Sequence, residues 1–330
     1  MNLPKISIVT PSFNQAEFLE ETIVSVISQN YPQLEYIVMD GGSTDGSVEI
    51  IKKYQKHISY WETIPDRGHA HALNKGFARS TGEVMAWINS DDKYFPWTFA
   101  TIGEIYAQFP DILWTTGLHA NFDRRGVLKG GASNVRAIYK NVYSYLFKDF
   151  HIQQESVFWH RKLWEMSGGY IDEGRKLMVD TELWCRFFIY TNLWHIDQVM
   201  GGYRSYGENR AHDATRVIQM QDDLDTSVSR LQKNLPPDIR QVADYIMQYK
   251  NDVQAHYEII GRISQRIRRN KLLQWLPQLY YDRVCNYLYR QAIEKEKVVV
   301  PGRPVHSSLV FKILQRIDDC WVQSEIPYEF

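Results

Sequence analysis

The feature that most constrains this chain is a rhythm. Up to about Leu118, short runs rich in β-branched residues alternate with segments of helical period, and each run ends in polar, loop-forming residues. Alternation on this scale is the signature of βαβ units, so it predicts a mainly parallel sheet and an α/β fold. Strands are expected at Ile6–Thr10, Glu35–Met39, Ile58–Glu62, Val84–Ile88 and Ile112–Thr116. Helices fit between them at Ala16–Ser28, Ser47–Tyr54 and Ala70–Arg79, with another at Trp97–Gln108 that opens just after Pro96, a residue favoured in a first turn.

From Asn121 to His212 the pattern loosens. A strand is expected at Ser156–Trp159, a helix at Arg161–Met166, a helix from near Thr181, and strands at Leu193–Asp197 and Val199–Arg204, together a mixed extension of the sheet. Beyond Asp213 helix-period stretches dominate: Ala214–Asn234, Ile239–Arg269, Leu272–Lys295 and Ser308–Val322, separated by Pro236-Pro237 and by residues 298–304. The 330 residues suit one large domain and an appendage. The expected division is a first domain at 1–213 and a helical region at 214–330.

Composition narrows the partners. Apolar content of 44%, charged content of 23% and a formal net charge of -1 are ordinary for a soluble globular protein and give no global attraction for nucleic acid or anionic lipid. The longest apolar runs, such as Val84–Ile88, fall far short of the roughly 20 residues that span a bilayer. Residues 1–5 lead straight into the first strand with no apolar leader, so the cytoplasm is the expected compartment. Cys185, Cys285 and Cys320 are odd in number and lack CxxC spacing, which supports neither a disulfide framework nor a zinc cage.

In open α/β sheets ligands collect beyond the carboxyl ends of the strands, where loops converge and helix N-termini offer N–H donors. The first four strands exit into Thr10-Pro11-Ser12-Phe13-Asn14, Asp40-Gly41-Gly42-Ser43-Thr44-Asp45, Pro65-Asp66-Arg67-Gly68 and Asn89-Ser90-Asp91-Asp92. Turn chemistry alone would explain the second exit: its glycines take conformations closed to other residues, and Thr44 or Asp45 can cap the next helix. The fourth is harder to read that way. Two adjacent carboxylates at the end of an apolar strand repel one another, and a hard divalent cation shared with diphosphate oxygens would relieve the repulsion, whereas a helix cap needs one acid.

These segments, with Ala72-Leu73-Asn74-Lys75-Gly76 and Thr81-Gly82-Glu83 between them, stand in an order that resembles the family 2 glycosyltransferases, inverting enzymes with a GT-A fold, over about Ile6 to Arg204. The resemblance implies a nucleotide-sugar donor site lined by Thr10, Pro11, Ser12, Asn14, Asp40, Arg67, Asn74, Asn89, Ser90, Asp91 and Asp92. Within it, Asp40 would accept a hydrogen bond from a uracil-like base. Asp91 matches the acid of the family's Asp-x-Asp motif that engages Mn²⁺ or Mg²⁺, the first acid being Asn89 here, and Asp92 would help hold the ribose or the metal. Arg67 suits a base or phosphate contact. His69 and His71, two residues apart in a helix, do not share a face and are not expected to form a paired metal site.

By the same resemblance, Gly168-Gly169-Tyr170-Ile171-Asp172 and Val179-Asp180-Thr181-Glu182 correspond to the family's Gly-Gly loop and its acidic pair, making Asp180 the general base. Asp180 would also serve as a helix N-cap, and Glu182 is favoured by the helix dipole. Gln154 and Glu182 are candidates for sugar or acceptor hydroxyls, and Trp184 is expected in the core. Many relatives carry a histidine two residues after an arginine late in the domain as a further metal ligand. Here Tyr206 follows Arg204, leaving His212 as a possible substitute.

The function expected is therefore inverting transfer of a sugar, from a UDP-sugar by preference, to a hydroxyl of a glycan, lipid-linked or protein-linked acceptor. A non-catalytic sugar-nucleotide sensor or assembly subunit on the same fold is the alternative. A sugar nucleotidyltransferase would want a Gly-rich, Arg-containing loop after the first strand, and Thr10 to Asn14 contains no glycine. Arg262, Arg266, Arg268, Arg269 and Lys271, followed by Trp275, Tyr280, Tyr281, Tyr287 and Tyr289, fit a solvated helix face with aromatic packing, peripheral contact with the inner face of a membrane, or a homodimer.

Overall fold

The computed structural model describes residues 2–131, 141–146, 152–175, 177–207, 214–244, 246–248, 251, 310–317 and 320–327. The first half follows the expected rhythm: β1 (Ile6–Ser12), α1 (Ala16–Ile27), β2 (Leu34–Asp40), α2 (Ser47–Tyr54), β3 (Tyr60–Thr63), α3 (His69–Arg79) and β4 (Val84–Trp87). Every residue of β1 and β4 is buried, as continuous apolar runs in a parallel sheet should be. The strands pair in parallel, with Ser12 opposite Asp40, Asp40 opposite Thr63 and Val9 opposite Trp87. That register brings the polar exits of all four strands to one edge of the sheet.

Two local devices hold this half together. Gly76 lets α3 lie close against the sheet, since a Cβ there would come within 2.4 Å of Val9 Cγ1. The Asp45 carboxylate accepts the backbone N–H groups of Ala16 at 2.8 Å and Ser47 at 3.1 Å, capping the first turns of α1 and α2 at once.

The chain continues through β5 (Lys93–Tyr94), α4 (Thr98–Gln108), β6 (Trp114–Leu118), β7 (Ala120–Phe122), β8 (Leu128–Gly131), α5 (Val142–Leu146), β9 (Val157–His160), α6 (Arg161–Met166), α7 (Val179–Phe187), β10 (Trp194–Val199), β11 (Gly201–Arg204), α8 (Ala214–Asn234), β12 (Val310–Ile317) and β13 (Cys320–Pro327). Nine strands form the main sheet in the order β13-β12-β10-β6-β9-β4-β1-β2-β3. β9 runs antiparallel between β4 and β6, which makes the extension mixed as expected. A second sheet, β5-β11-β7-β8, stands beside it, and the short strands β5, β7 and β8 were not foreseen from the sequence.

Between the layers lies an aromatic core. Trp87, Trp114, Trp159 and Trp184 are all fully buried, and the Trp87 and Trp184 rings stack at 5.7 Å. Trp184 is thus a core residue, as expected, and it fixes the helix that carries Asp180.

The C-terminal region differs from its all-helical expectation. α8 forms at Ala214–Asn234 as anticipated, but Ser308–Val322 is not a helix: residues 310–317 and 320–327 are strands. The segment is dense in β-branched and aromatic residues, and Ile313 and Leu314, adjacent in sequence, are both fully buried. Two adjacent buried residues break the alternation that would distinguish a strand from a helix, and the available edge of β10 settles the matter: Trp194, His195 and Ile196 pair in parallel with Lys312, Ile313 and Leu314. The break expected at 213/214 accordingly moves. Residues 1–235 together with 310–328 make one compact unit, and residues 236–309 with 329–330 make a second, which contains helical residues 237–244 and 246–248. The basic and aromatic residues from Arg262 to Tyr289, and the helix expected at Leu272–Lys295, lie outside the described residues.

Candidate active site

At the exits of β1 and β2 the polar groups satisfy one another. Thr10 is fully buried and accepts a hydrogen bond from the Tyr36 hydroxyl. Pro11 and Ser12 are also buried, so this strand offers its last residues from below rather than as an open surface. Asn14, with φ 52°, accepts from Thr44 N–H at 2.9 Å, while its own N–H donates to Ser43 Oγ at 2.8 Å. Asp40, expected as the base contact, is 1% exposed and holds the turn that follows it: Oδ2 accepts from Gly42 N–H, Ser43 N–H and Thr63 Oγ1, and Oδ1 accepts from Ser43 Oγ. In this state its carboxylate organises the loop.

The third exit reaches sideways. Arg67 is exposed and paired with Glu173 at 2.7 Å, and its backbone N–H is capped by His71 Nδ1. Asn74 is engaged by the loop that leads to α7. Its amide pairs reciprocally with the backbone of Ile171, donating to O at 2.9 Å and accepting from N–H at 2.7 Å, and it also reaches Glu173. It therefore anchors the Gly168-Gly169 loop, which leads into Asp180, on α3. His69 Nε2 meets Asn89 Oδ1 at 2.9 Å and so touches the acidic loop.

The fourth exit is built differently. Asn89 Nδ2 donates to Asp92 Oδ2 at 3.1 Å and toward Gln154 Oε1 at 3.3 Å, and Gln154 in turn donates to the Trp87 carbonyl at 2.8 Å. Ser90 is buried. Asp92, only 1% exposed, accepts the Arg204 backbone N–H at 2.7 Å, and its own carbonyl accepts from Thr22 of α1. Both carboxylate oxygens of Asp92 accept from protein donors, Oδ1 from the Arg204 N–H and Oδ2 from Asn89 Nδ2. Asp91 is the half-buried member of the pair, with Oδ2 accepting the Tyr206 hydroxyl at 2.9 Å.

Glu155 completes the group, and it had been given no role from the sequence. Buried just ahead of β9, it hydrogen-bonds Asp92, a contact that requires a proton on one of the two acids. Burial pushes its carboxyl up to about 7 against that bond, and the charges of Asp180 and Asp91 push the same way. Asp92 is raised well above the carboxylate range, first by burial and then by Glu155 and Asp91. Asp180, half-buried in the first turn of α7, is pushed up to about 6 by burial, opposed by the Thr181 N–H that it accepts at 2.8 Å. The sequence held one signal for Glu155: an acid two residues before a buried strand, the mirror of Asp91, which follows one.

Glu182, a sugar candidate, is committed elsewhere. It is 1% exposed and forms a bidentate ion pair with Arg186 at 2.8–3.1 Å and a second with Arg230 at 2.9 Å, tying α7 to α8. Arg204 is a second buried hub. Its Nε donates to the Asp91 carbonyl, Nη1 to the Arg124 carbonyl and Nη2 to Glu21 at 2.8 Å, so that β11, α1 and the β7–β8 turn all grip the acidic loop. A Cβ on Gly201 would sit 2.1 Å from the Glu155 carbonyl, and only glycine lets β11 come that close.

His212 lies outside the described residues. Among the described residues no three His, Cys, Asp or Glu side chains form a group that could hold a metal ion. No helix among them is long and apolar enough to cross a membrane.

Residues 7–160 match the family model described as Glycosyl transferase family 2. "Putative teichuronic acid biosynthesis glycosyltransferase TuaG" of Bacillus subtilis is 38% identical over 96 residues, 28% of this chain and 37% of that protein. An uncharacterized glycosyltransferase of Mycobacterium tuberculosis is 36% identical over 92 residues, 28% of this chain and 35% of its own length. The matched stretch thus spans little more than a third of either relative. Among solved structures, residues 1–349 of S. aureus TarS in complex with UDP superpose with a TM-score of 0.58 at 13% identity, covering 92% of this chain and 94% of that one. The mannosyltransferase PcManGT of Pyrobaculum calidifontis in complex with GDP-Man and Mn²⁺ superposes with a TM-score of 0.55 at 19% identity, covering 74% and 69%. Residues 7–160, then, carry a match to glycosyl transferase family 2, and the sheet is of the GT-A type seen in these structures.

Proposed function

We propose that the protein transfers a sugar, with inversion, from a nucleotide-diphosphate donor to an acceptor hydroxyl, with Asp180 as the general base. The observation that carries this reading is the acidic group itself: Asp91, Asp92, Glu155 and Asp180 gathered where parallel strands end, with Asp180 pushed up to about 6. A base is most effective when its proton affinity lies near the working pH, because it must be free to accept a proton and basic enough to hold it. Asp180 meets that condition on a rigid helix whose Trp184 is locked in the core.

A divalent cation fits this donor set by chemistry. The ligands are hard carboxylate oxygens, and the donors that meet Asp92 and Asp180 are neutral: the Arg204 backbone N–H and Asn89 amide for the first, the Thr181 N–H for the second. Asp91 would hold it, with the donor's own diphosphate oxygens as the other ligands, since Asp92 is enclosed and no three-residue protein site is present among the described residues. When bound, Mn²⁺ or Mg²⁺ would stabilise the charge on the departing diphosphate. UDP is the nucleotide favoured, consistent with the UDP-bound TarS structure as a relative in fold.

A donor-hydrolysis screen over UDP- and GDP-sugars, with and without Mn²⁺ or Mg²⁺, tests class, nucleotide and metal together. Metal-dependent release of the nucleoside diphosphate from at least one donor is the expected result. Release from none, with the protein folded, would remove the enzymatic reading in favour of a sugar-nucleotide sensor or an assembly subunit.

A further inference from the structure

Among the groups around Asp91, one side chain is placed by nothing in the turn chemistry. Tyr206 lies two residues beyond β11, yet its hydroxyl returns to the acidic loop and donates to Asp91 Oδ2 at 2.9 Å. Gln15, in the loop that follows β1, hydrogen-bonds the same hydroxyl. The Tyr206 ring rests on Phe18 of α1 at 4.7 Å between centroids, with the Arg124 guanidinium 5.8 Å from the Tyr206 ring centroid. Asp91 is thus fixed from two directions. Arg204 holds its main-chain carbonyl at 2.7 Å, and Tyr206 holds its carboxylate.

We propose that Tyr206 is a positioning residue for Asp91, its hydroxyl fixing the rotamer of the carboxylate that binds the donor's diphosphate and cation. This rests on the function proposed above. A carboxylate on the half-exposed edge of a loop samples several rotamers, and a hydrogen bond from a ring that is itself packed selects one of them. The chemical requirement is one neutral donor on a rigid support. Tyrosine supplies it, with Phe18 as the support and Gln15 as the second tie.

The test uses the full-length protein and Tyr206→Phe, which keeps the ring on Phe18 and removes only the hydroxyl. Calorimetric binding of UDP across a Mn²⁺ titration is measured beside the thermal midpoint, so that one readout is independent of turnover. The expected result is UDP–Mn²⁺ affinity weakened roughly tenfold, the size of one hydrogen bond to a charged group, with the midpoint nearly unchanged. The Mn²⁺ concentration for half-maximal activity should rise, with kcat affected less than KM. Because a purely structural role could weaken binding through misfolding, Asp91→Asn and the double variant close a cycle: the loss caused by Tyr206→Phe should vanish when Asp91 is already Asn. Equal UDP–Mn²⁺ affinity for the wild type and Tyr206→Phe, or an unchanged loss in the Asp91→Asn background, overturns the positioning role. Failure of the wild type to bind UDP at all is a different outcome: it overturns the donor reading, and this inference with it.

Discussion

At the N-terminal ends of the parallel strands, Glu35 is buried with its oxygens shared among Lys5 at 2.7 Å, Ser7 at 2.5 Å and the N–H and hydroxyl of Thr81. Burial opposes its charge, but the bonds from Lys5, Ser7 and Thr81 win and hold the carboxyl down at about 2. At the C-terminal ends, Asp92, Glu155 and Asp180 are shifted upward, because burial there is joined by like charges or left with few compensating donors. One sheet therefore carries two acidic regions of opposite electrostatic sense. At one end every charge is matched and the result is stability. At the other the mismatch persists in the folded protein, which is what a site awaiting a cation or a proton requires.

The contrast can be broken in three places. The largest effect is expected at Asp180→Asn, which removes the proposed base without changing shape. Turnover should fall by roughly 10²- to 10⁴-fold while UDP binding survives, and steady-state kinetics beside calorimetry would show it. Unchanged turnover would take Asp180 out of the role. For the wild type, kcat/KM should rise with pH through about 6, as the half-buried Asp180 loses its proton.

Glu35→Ala should act in the opposite manner. It leaves Ser7, Thr81 and Lys5 without their shared acceptor and should cost about 2 kcal/mol of stability by denaturant titration, with kcat per folded molecule unaffected. A drop in kcat would show that the two ends are coupled.

The smallest effect lies in the pH dependence of stability. Carboxyls raised in the folded state bind more protons than in the unfolded chain, so their contribution is complete below about pH 4 and is lost as pH rises through about 6 and 7. Glu35, shifted down, changes stability only below its ordinary range and is silent in that window. The wild-type thermal midpoint should therefore fall by a few degrees between pH 5 and pH 8, and Glu155→Gln should flatten that slope. A rising midpoint would contradict the electrostatic picture of the acidic end.

The same contrast explains what could be read in the amino-acid order. α/β architecture and most element positions up to Arg204 were legible because β-branched runs such as Ile6–Val9 and Val84–Trp87 are buried where they stand. Asp91 and Asp180 were legible as acids at element boundaries, and the fold does bring them within electrostatic reach of Glu155. Roles that depend on a distant partner were not. Asp40 and Asn74 fit a donor site by order along the chain, but what they hold in the structure is a turn and the Ile171 backbone. Glu182 looked like the second acid of a catalytic pair, and two arginines, one of them 48 positions away, claim it instead. The hairpin of β12 and β13 escaped because Ile313 and Leu314, adjacent in sequence, are both buried, which breaks the period-two alternation by which a strand is recognised.

That hairpin imposes an order on how the molecule can be made. His195 on β10 meets the carbonyl of Lys312 on β12, 117 positions later. As the chain emerges during synthesis, β6 and β10 can pair early, but the outer side of β10 stays an open strand edge until residues 310–317 arrive. A nascent chain at that stage has emerged past all four acids, Asp91, Asp92, Glu155 and Asp180, with one strand edge still unpaired. Shortening the protein to the segment that carries the chemistry would make this transient hazard permanent.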